Sequence, residues 1–254
     1  MNKAAAVLIA SLTCCGPLLA EKAKTANPPL KIHMISGARE YRSEPSLKAF
    51  AAYLQKNFHA RCTLSPGRDG AKELPNLDAL DKADVMLVFC RRLRLGPGSL
   101  EPIRNWCKAG KPVIGLRTAS HAFQTWLAFD KEILGGDYHG HGGSEKEVKV
   151  TVEEKAADHP ILAGVKDWVR PGKLYRNPNL AKDVAVLLTG TGSKDRQPLA
   201  WARVYDKKND GRSFYTSMGL PGDFKNQTFR KLLVNAISWT AKRNLEPRKP
   251  PEKP

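Results

Sequence analysis

The chain has 254 residues, of which 42 are Lys or Arg and 25 are Asp or Glu, for a formal net charge of +17. That length supports one large domain with a full core. Such basicity favours polyanions, but no basic, aromatic-interleaved nucleic-acid motif is present. A solvated basic surface with no specific ligand accounts for the charge equally well.

Residues 1–20 read as a signal peptide. Lys3 is the positive n-region, Ala4 to Leu12 is an apolar stretch too short to span a bilayer, and Leu18-Leu19-Ala20 is the cleavage site. Cleavage after Ala20 ranks above lipoprotein anchoring at Cys14 or Cys15. The protein is therefore expected to be exported, to the periplasm or the extracellular space, with no transmembrane segment. Anionic cell-surface polymers or acidic glycans then become its candidate polymeric partners. Cys62, Cys90 and Cys107 remain in the mature chain; their odd count and wide spacing exclude a disulfide framework, and each lies in or beside an apolar run.

Residues 21–29 form a polar lead-in. Leu30 to Ser36 predicts a strand ending at Gly37, and Leu47, Phe50, Ala51, Leu54 and Phe58 recur at helical spacing. Ala60 to Leu64 is a short strand, followed by a Gly- and Pro-containing loop to Pro75. Asp84 to Phe89 is a continuous apolar run, as in a strand covered on both faces. Ser99 to Ala109 predicts a helix stopped by Gly110. Val113 to Leu116 is the next strand; a tight turn at Arg117 to Ser120 then leads into a helical pattern through Phe123, Trp126, Leu127 and Phe129. This alternation predicts an α/β fold with a doubly wound, mostly parallel sheet. The second half reads as an antiparallel extension: an edge strand at Glu147 to Val152, strands at Val184 to Thr189, Leu199 to Tyr205 and Arg212 to Ser217, and a hairpin turn at Lys207 to Gly211. A last helix spans Lys225 to Arg243, with Asp223 as its natural N-cap. One domain over 30–243 and a disordered, basic, Pro-rich tail over 244–254 complete the organisation.

Ligands of open α/β sheets bind at the carboxyl ends of the strands. Arg39, Glu40 and Tyr41 follow the first strand: Glu40 reads as a general base and Arg39 as an anion clamp, or the pair as a plain helix-entry loop. Arg91, Arg92 and Arg94 follow the third; they hold a ligand there or form salt bridges to loop carboxylates. Arg117, Thr118, Ser120 and His121 follow the fourth. If a helix starts there, its free N–H groups form an anion or oxyanion site with Arg117, while Ser120 also reads as a simple cap and His121 as an acid/base or a loop-satisfied histidine. Tyr138-His139-Gly140-His141-Gly142-Gly143 places two histidines at one-residue spacing, suited to one metal only if Glu40, His121 or His33 supplied a third ligand. No metal ligand set is expected, and the cofactor is left open. His159-Pro160 reads as a turn.

PVIGLRTASHAF (Pro112 to Phe123), EILGGDYHGHGG (Glu132 to Gly143), DHPILAGV (Asp158 to Val165), LAWARVY with GRSFYTSMG, and FRKLLVNAISW (Phe229 to Trp239) occur in the order of the ThuA-like (trehalose utilisation) family, which the chain resembles over nearly its whole mature length. The resemblance implies a flavodoxin-like, class I glutamine amidotransferase-like fold. Counting from Gly115, the nucleophilic cysteine of class I amidotransferases falls on Arg117. Their His-Pro-Glu falls on Leu220-Pro221-Gly222. The amidotransferase triad is therefore missing. Many ThuA-like proteins carry histidine at the elbow and Gly-His after the late strand; here these are Arg117 and Gly219-Leu220. The resemblance implies a role in carbohydrate utilisation on a sugar or an oxidised keto sugar. His121, His139, His141 or Glu40 would supply acid/base chemistry, and Arg39, Tyr41, Arg91, Arg92, Arg117, Thr118, Ser120 and Tyr138 the binding contacts. The alternative is a non-catalytic sugar- or anion-binding module using the same cleft.

Overall fold

A computed structural model describes residues 28–248; the expected signal peptide and most of the lead-in lie outside the described residues. Strands β1 (Leu30–Gly37), β2 (Ala60–Pro66), β3 (Val85–Cys90), β4 (Val113–Leu116), β5 (Glu145–Val152), β6 (Trp168–Gly172), β7 (Ala185–Thr191), β8 (Arg196–Asp206) and β9 (Gly211–Thr216) form one sheet in the order β2-β1-β3-β4-β9-β8-β7-β5-β6. The first five in that order run parallel, and the rest pair antiparallel. The mostly parallel sheet expected from the sequence is thus a mixed one, with an antiparallel half as extensive as the parallel half.

All six residues of β3 are buried because apolar layers cover both faces. On one side α1 (Ser43–Asn57) and α3 (Gln227–Ala241) pack Leu47, Phe50, Phe229 and Leu233 over Val85, Leu87 and Phe89. On the other, α2 (Pro97–Lys108) packs Leu100, Ile103 and Trp106 over Met86, Val88 and Cys90. Each such large side chain contributes about 1.5–3 kcal/mol when fully buried. Gly37 lets β1 close on β3, since a Cβ there would stand 2.9 Å from Cys90 Cβ. Ser43, at the start of α1, accepts from the N–H groups of Gly37 and Ala38, which fixes the turn leaving β1.

Four expectations need correction. The helix after Arg117 does not form: a 3-10 turn (Arg117–His121) is followed by irregular turns and a single π turn (Asp130–Leu134). Phe123, Trp126 and Phe129 do pack together as an aromatic cluster, but Leu127 is 72% exposed. β5 is not an edge strand, because β6, which the sequence reading passed over, pairs along its outer side. Asn226, not Asp223, caps α3 by accepting the Phe229 N–H. Within the expected disordered tail, Leu245 is buried, and Pro247 and Arg248 bond to the end of α1 and the residue after it; the residues after 248 lie outside the described ones.

The thiols of Cys62, Cys90 and Cys107 are free. No helix among the described residues is long and apolar enough to cross a membrane.

Candidate functional site

The parallel register brings the ends of β1, β3, β4 and β9 side by side, so the loops at 38–42, 91–94, 117–121 and 217–223 meet. The chain turns sharply where β4 ends: Arg117 has φ 48°, a left-handed conformation costly for a residue with a Cβ. Surrounding contacts hold it there. Its carbonyl accepts the Tyr215 hydroxyl at 2.7 Å. Its guanidinium donates to the Ser217 carbonyl at 3.2 Å and lies 4.0 Å from the Tyr41 ring centroid and 5.4 Å from that of Tyr175.

At 1% exposure, Arg117 is closed off from solvent, does not line the cleft beside its turn, and keeps a buried Nε without a partner among the described residues. The α-helix whose start was expected to supply free N–H groups does not form; the segment is a five-residue 3-10 turn with no side-chain cap. Ser120 caps no helix and instead meets His121 Nδ1 at 3.1 Å. Thr118 is fully buried, with no partner for its hydroxyl among the described residues.

Beside this turn lies a cleft of about 260 Å³, walled by Ser120, His121, Trp126, Asp130 and Tyr138. The His121 and Tyr138 rings stack, with centroids 4.6 Å apart and planes inclined by 18°. Burial, then the charges of Arg92 and Arg91, and after them His141 and Arg117, push the His121 pKa down to about 3, so the imidazole is neutral. Burial raises the Tyr138 hydroxyl above its usual range.

Asp130 moves the other way. Burial pushes its carboxyl up to about 7, with the Asp137 charge adding to the rise and the Tyr138 N–H opposing it. Oδ2 accepts that N–H at 3.1 Å, while Oδ1 has no partner among the described residues. Gly136 closes over the carboxyl: a Cβ there would stand 2.3 Å from Oδ1.

The remaining expected residues divide. Arg91 donates to Asp69 at 2.6 Å and faces Glu40 at 3.7 Å, the salt-bridging alternative. Glu40, so paired and exposed, does not face the cleft wall as a base. Arg39 is exposed on its 3-10 turn, and Tyr41 is buried beneath Arg117. Arg92 is exposed and has φ 51°.

His139 points away, 63% exposed and 2.8 Å from Asp137. His141 bridges to Tyr175 through the backbone, and its ring lies 6.0 Å from the Tyr175 ring. The two histidines therefore do not act as a pair, and no three His, Cys, Asp or Glu among the described residues converge as metal ligands. His33 is buried between β1 and β2, bonded to Thr63 and Ser65. His159 occupies the expected turn.

Two residues of the site escaped the sequence reading. Asp130 was hidden because a carboxylate beside Lys131 and Glu132 reads as solvated; the signal was its place among Phe129, Ile133 and Leu134 just before Gly135-Gly136. Tyr175 lies in the extended segment Lys173-Leu174-Tyr175-Arg176 that pairs with 139–142; no alternation marks it, since Leu174 and Tyr175 are adjacent and both buried.

The ThuA family model, described as trehalose utilisation, matches residues 31–240. The fold is similar to a ThuA-like protein from Bacteroides uniformis (22% identity, TM-score 0.59, covering 86% of this chain and 94% of that one). It is also similar to one from Parabacteroides merdae (16% identity, TM-score 0.64, covering 89% and 95%). No curated protein matches the chain.

Proposed function

The chain belongs to the ThuA (trehalose utilisation) family, and from that premise we propose that it is an exported enzyme performing acid/base chemistry on a sugar or an oxidised keto sugar. The observation that carries this reading is that Asp130 and His121 wall the same cleft with their protonation driven in opposite directions. Two titratable groups whose environments pull them apart are the usual mark of assigned acid and base roles.

Asp130 titrates near neutrality, which suits the group that moves a proton. A base with a pKa near 3 moves few protons at neutral pH, so His121 is better suited to hold an oxygen. In this reading Asp130 removes the proton next to a sugar carbonyl, and the electrons of that C–H bond pass to the carbonyl oxygen. The neutral His121 imidazole, kept in place by Ser120 and Tyr138, donates a hydrogen bond to that oxygen. Trp126 and Tyr138 offer aromatic surface to the sugar ring. Metal chemistry is no part of the proposal, and neither is a covalent nucleophile, whose position Arg117 fills.

The test is proton exchange. The protein is incubated in heavy water with 3-keto-trehalose, and deuterium at the carbons beside the carbonyl is followed by NMR. Exchange above the buffer rate that disappears in Asp130→Asn supports the reading. The second reading, a non-catalytic binding module, is favoured by the low basicity of His121. Saturable binding of the same sugar with exchange no faster than buffer would establish it instead.

A further inference from the structure

Three arginines crowd His121, and two of them are already committed. Arg117 is buried between two tyrosine rings, and Arg91 is paired with Asp69 and Glu40. Arg92 is exposed and has no ion pair or side-chain hydrogen bond among the described residues.

The Arg92 backbone is held by two loops at once. Its N–H donates to the His121 carbonyl at 2.9 Å, and its own carbonyl accepts the Gly70 N–H at 3.3 Å. Those bonds fix a left-handed φ of 51°, which an arginine does not adopt freely. The strain is thus maintained at a residue whose backbone adjoins His121 of the cleft wall and whose cation has no partner among the described residues.

The neighbouring carboxylates do not balance that cation. Asp69 and Glu40 face Arg91, and Asp137 bonds His139 at 2.8 Å and Asn179 at 3.0 Å. Asp130 gives Oδ2 to the Tyr138 N–H. The Arg92 charge nevertheless reaches both rings of the cleft wall, His121 and Tyr138.

Resting on the reading of the cleft as a sugar site, we propose that the sugar it takes carries an anionic substituent, a carboxylate or a phosphate, and that Arg92 at the rim reads it. A guanidinium offers a planar pair of N–H donors that matches either group. The ring of the ligand would then lie against His121 and Tyr138 with its anionic group turned toward Arg92.

The experiment is calorimetric titration of the full chain with glucose, glucuronate, glucose 6-phosphate and inorganic phosphate. At least one acidic sugar is expected to bind about tenfold more tightly than glucose, as fits a charge-assisted pair. The two acidic sugars tell carboxylate from phosphate. Arg92→Gly removes the side chain while suiting the positive φ, so its fold and Tm should hold. It should abolish the preference, and Arg92→Lys should keep part of it. Equal binding of glucose and both acidic sugars, or an undiminished preference in Arg92→Gly, overturns the proposal and leaves the sugar reading standing. Inorganic phosphate binding as tightly as glucose 6-phosphate overturns it as well, by reducing the site to a general anion contact. Binding by none of the three sugars removes both this proposal and the reading beneath it.

Discussion

The Arg117 guanidinium packs 4.0 Å from the centroid of the Tyr41 ring, joining the residue after β4 to the turn after β1. With its bond to the Ser217 carbonyl beyond β9, it pins three loops of the strand-end face together. Arg117→Ala is expected to destabilise the fold by about 2–4 kcal/mol, through the cavity and the lost cation–π contact. Arg117→Met, which keeps the packing, should lose about half as much. Urea unfolding measures both, and an Ala variant within about 0.5 kcal/mol of wild type would show that the residue is not a structural plug.

The same elbow gives a chemical prediction. Arg117→Cys restores a thiol at the position and backbone angle of a nucleophile, yet Leu220-Pro221-Gly222 supplies neither a histidine nor a carboxylate to activate it. Ammonia release from glutamine is therefore expected to stay at the buffer rate in this variant. Measurable glutaminase turnover would mean that another base reaches the elbow.

The late loop beside Arg117 is held by a buried pair. Arg170 donates to both oxygens of Asp223 at 2.7 and 2.8 Å, and one of those oxygens also accepts the N–H groups of Gly219 and Leu220. Asp223→Ala leaves Arg170 buried and unpaired and should cost about 3–5 kcal/mol. Gly219 has φ 136°, so Gly219→Ala adds backbone strain of order 1–3 kcal/mol. Thermal unfolding should rank the two variants in that order.

Local pattern and tertiary context divide what the sequence could tell. β3 was legible because Val85 to Cys90 is apolar on both faces, and the final helix because Phe229, Leu232, Leu233, Ala236 and Ile237 share one face. β6 was not, since Pro171 and Gly172 argue against a strand and are tolerated only because β6 is an edge. The helix expected after Arg117 failed for the opposite reason. Phe123, Trp126 and Phe129 fit a helical period, but they meet one another through turns. At the site, the elbow and the meeting of strand-end loops followed from strand order. The burial of Arg117 involves Ser217, a hundred positions away, and that of Asp130 the turn that brings Gly136 and Tyr138 over its carboxyl; periodicity registers neither.

Three buried groups give the stability a pH dependence with slopes of both signs. His121 falls from an ordinary 6.5 to about 3 in the fold, so between those values the unfolded chain binds more protons. Its contribution is present above pH 6.5 and is lost as pH falls toward 3. His33, lowered to about 4 by burial, acts in the same direction. Asp130 rises from 3.8 to about 7, so the folded chain binds more protons between those values. Its contribution is present below pH 3.8 and is lost as pH rises through 7, by about 1.4 kcal/mol for each unit of separation at most. Asp130→Asn should flatten the decline between pH 4 and 7, and His121→Ala should flatten the rise over pH 3 to 6.5. Denaturant titrations across pH 3–8 would show either slope unchanged if the assignment is wrong.

Gly136 offers a way to move the Asp130 carboxyl without deleting it. The added methyl of Gly136→Ala would stand 2.3 Å from Oδ1, too close for any real contact, so the carboxyl must turn aside. The backbone at 136 does not demand glycine, and the displaced carboxyl borders a cleft that can receive it. The fold should therefore survive with a loss of about 1–3 kcal/mol. The carboxyl, once swung toward solvent, should titrate closer to an ordinary aspartate, which carbon-13 NMR of the labelled side chain can follow. If Asp130 is the proton-moving group, Gly136→Ala should also lose most of the deuterium exchange into 3-keto-trehalose while its binding persists. Full exchange in a variant whose Asp130 titration has shifted would separate the carboxyl from the chemistry and assign the proton to another group of the cleft.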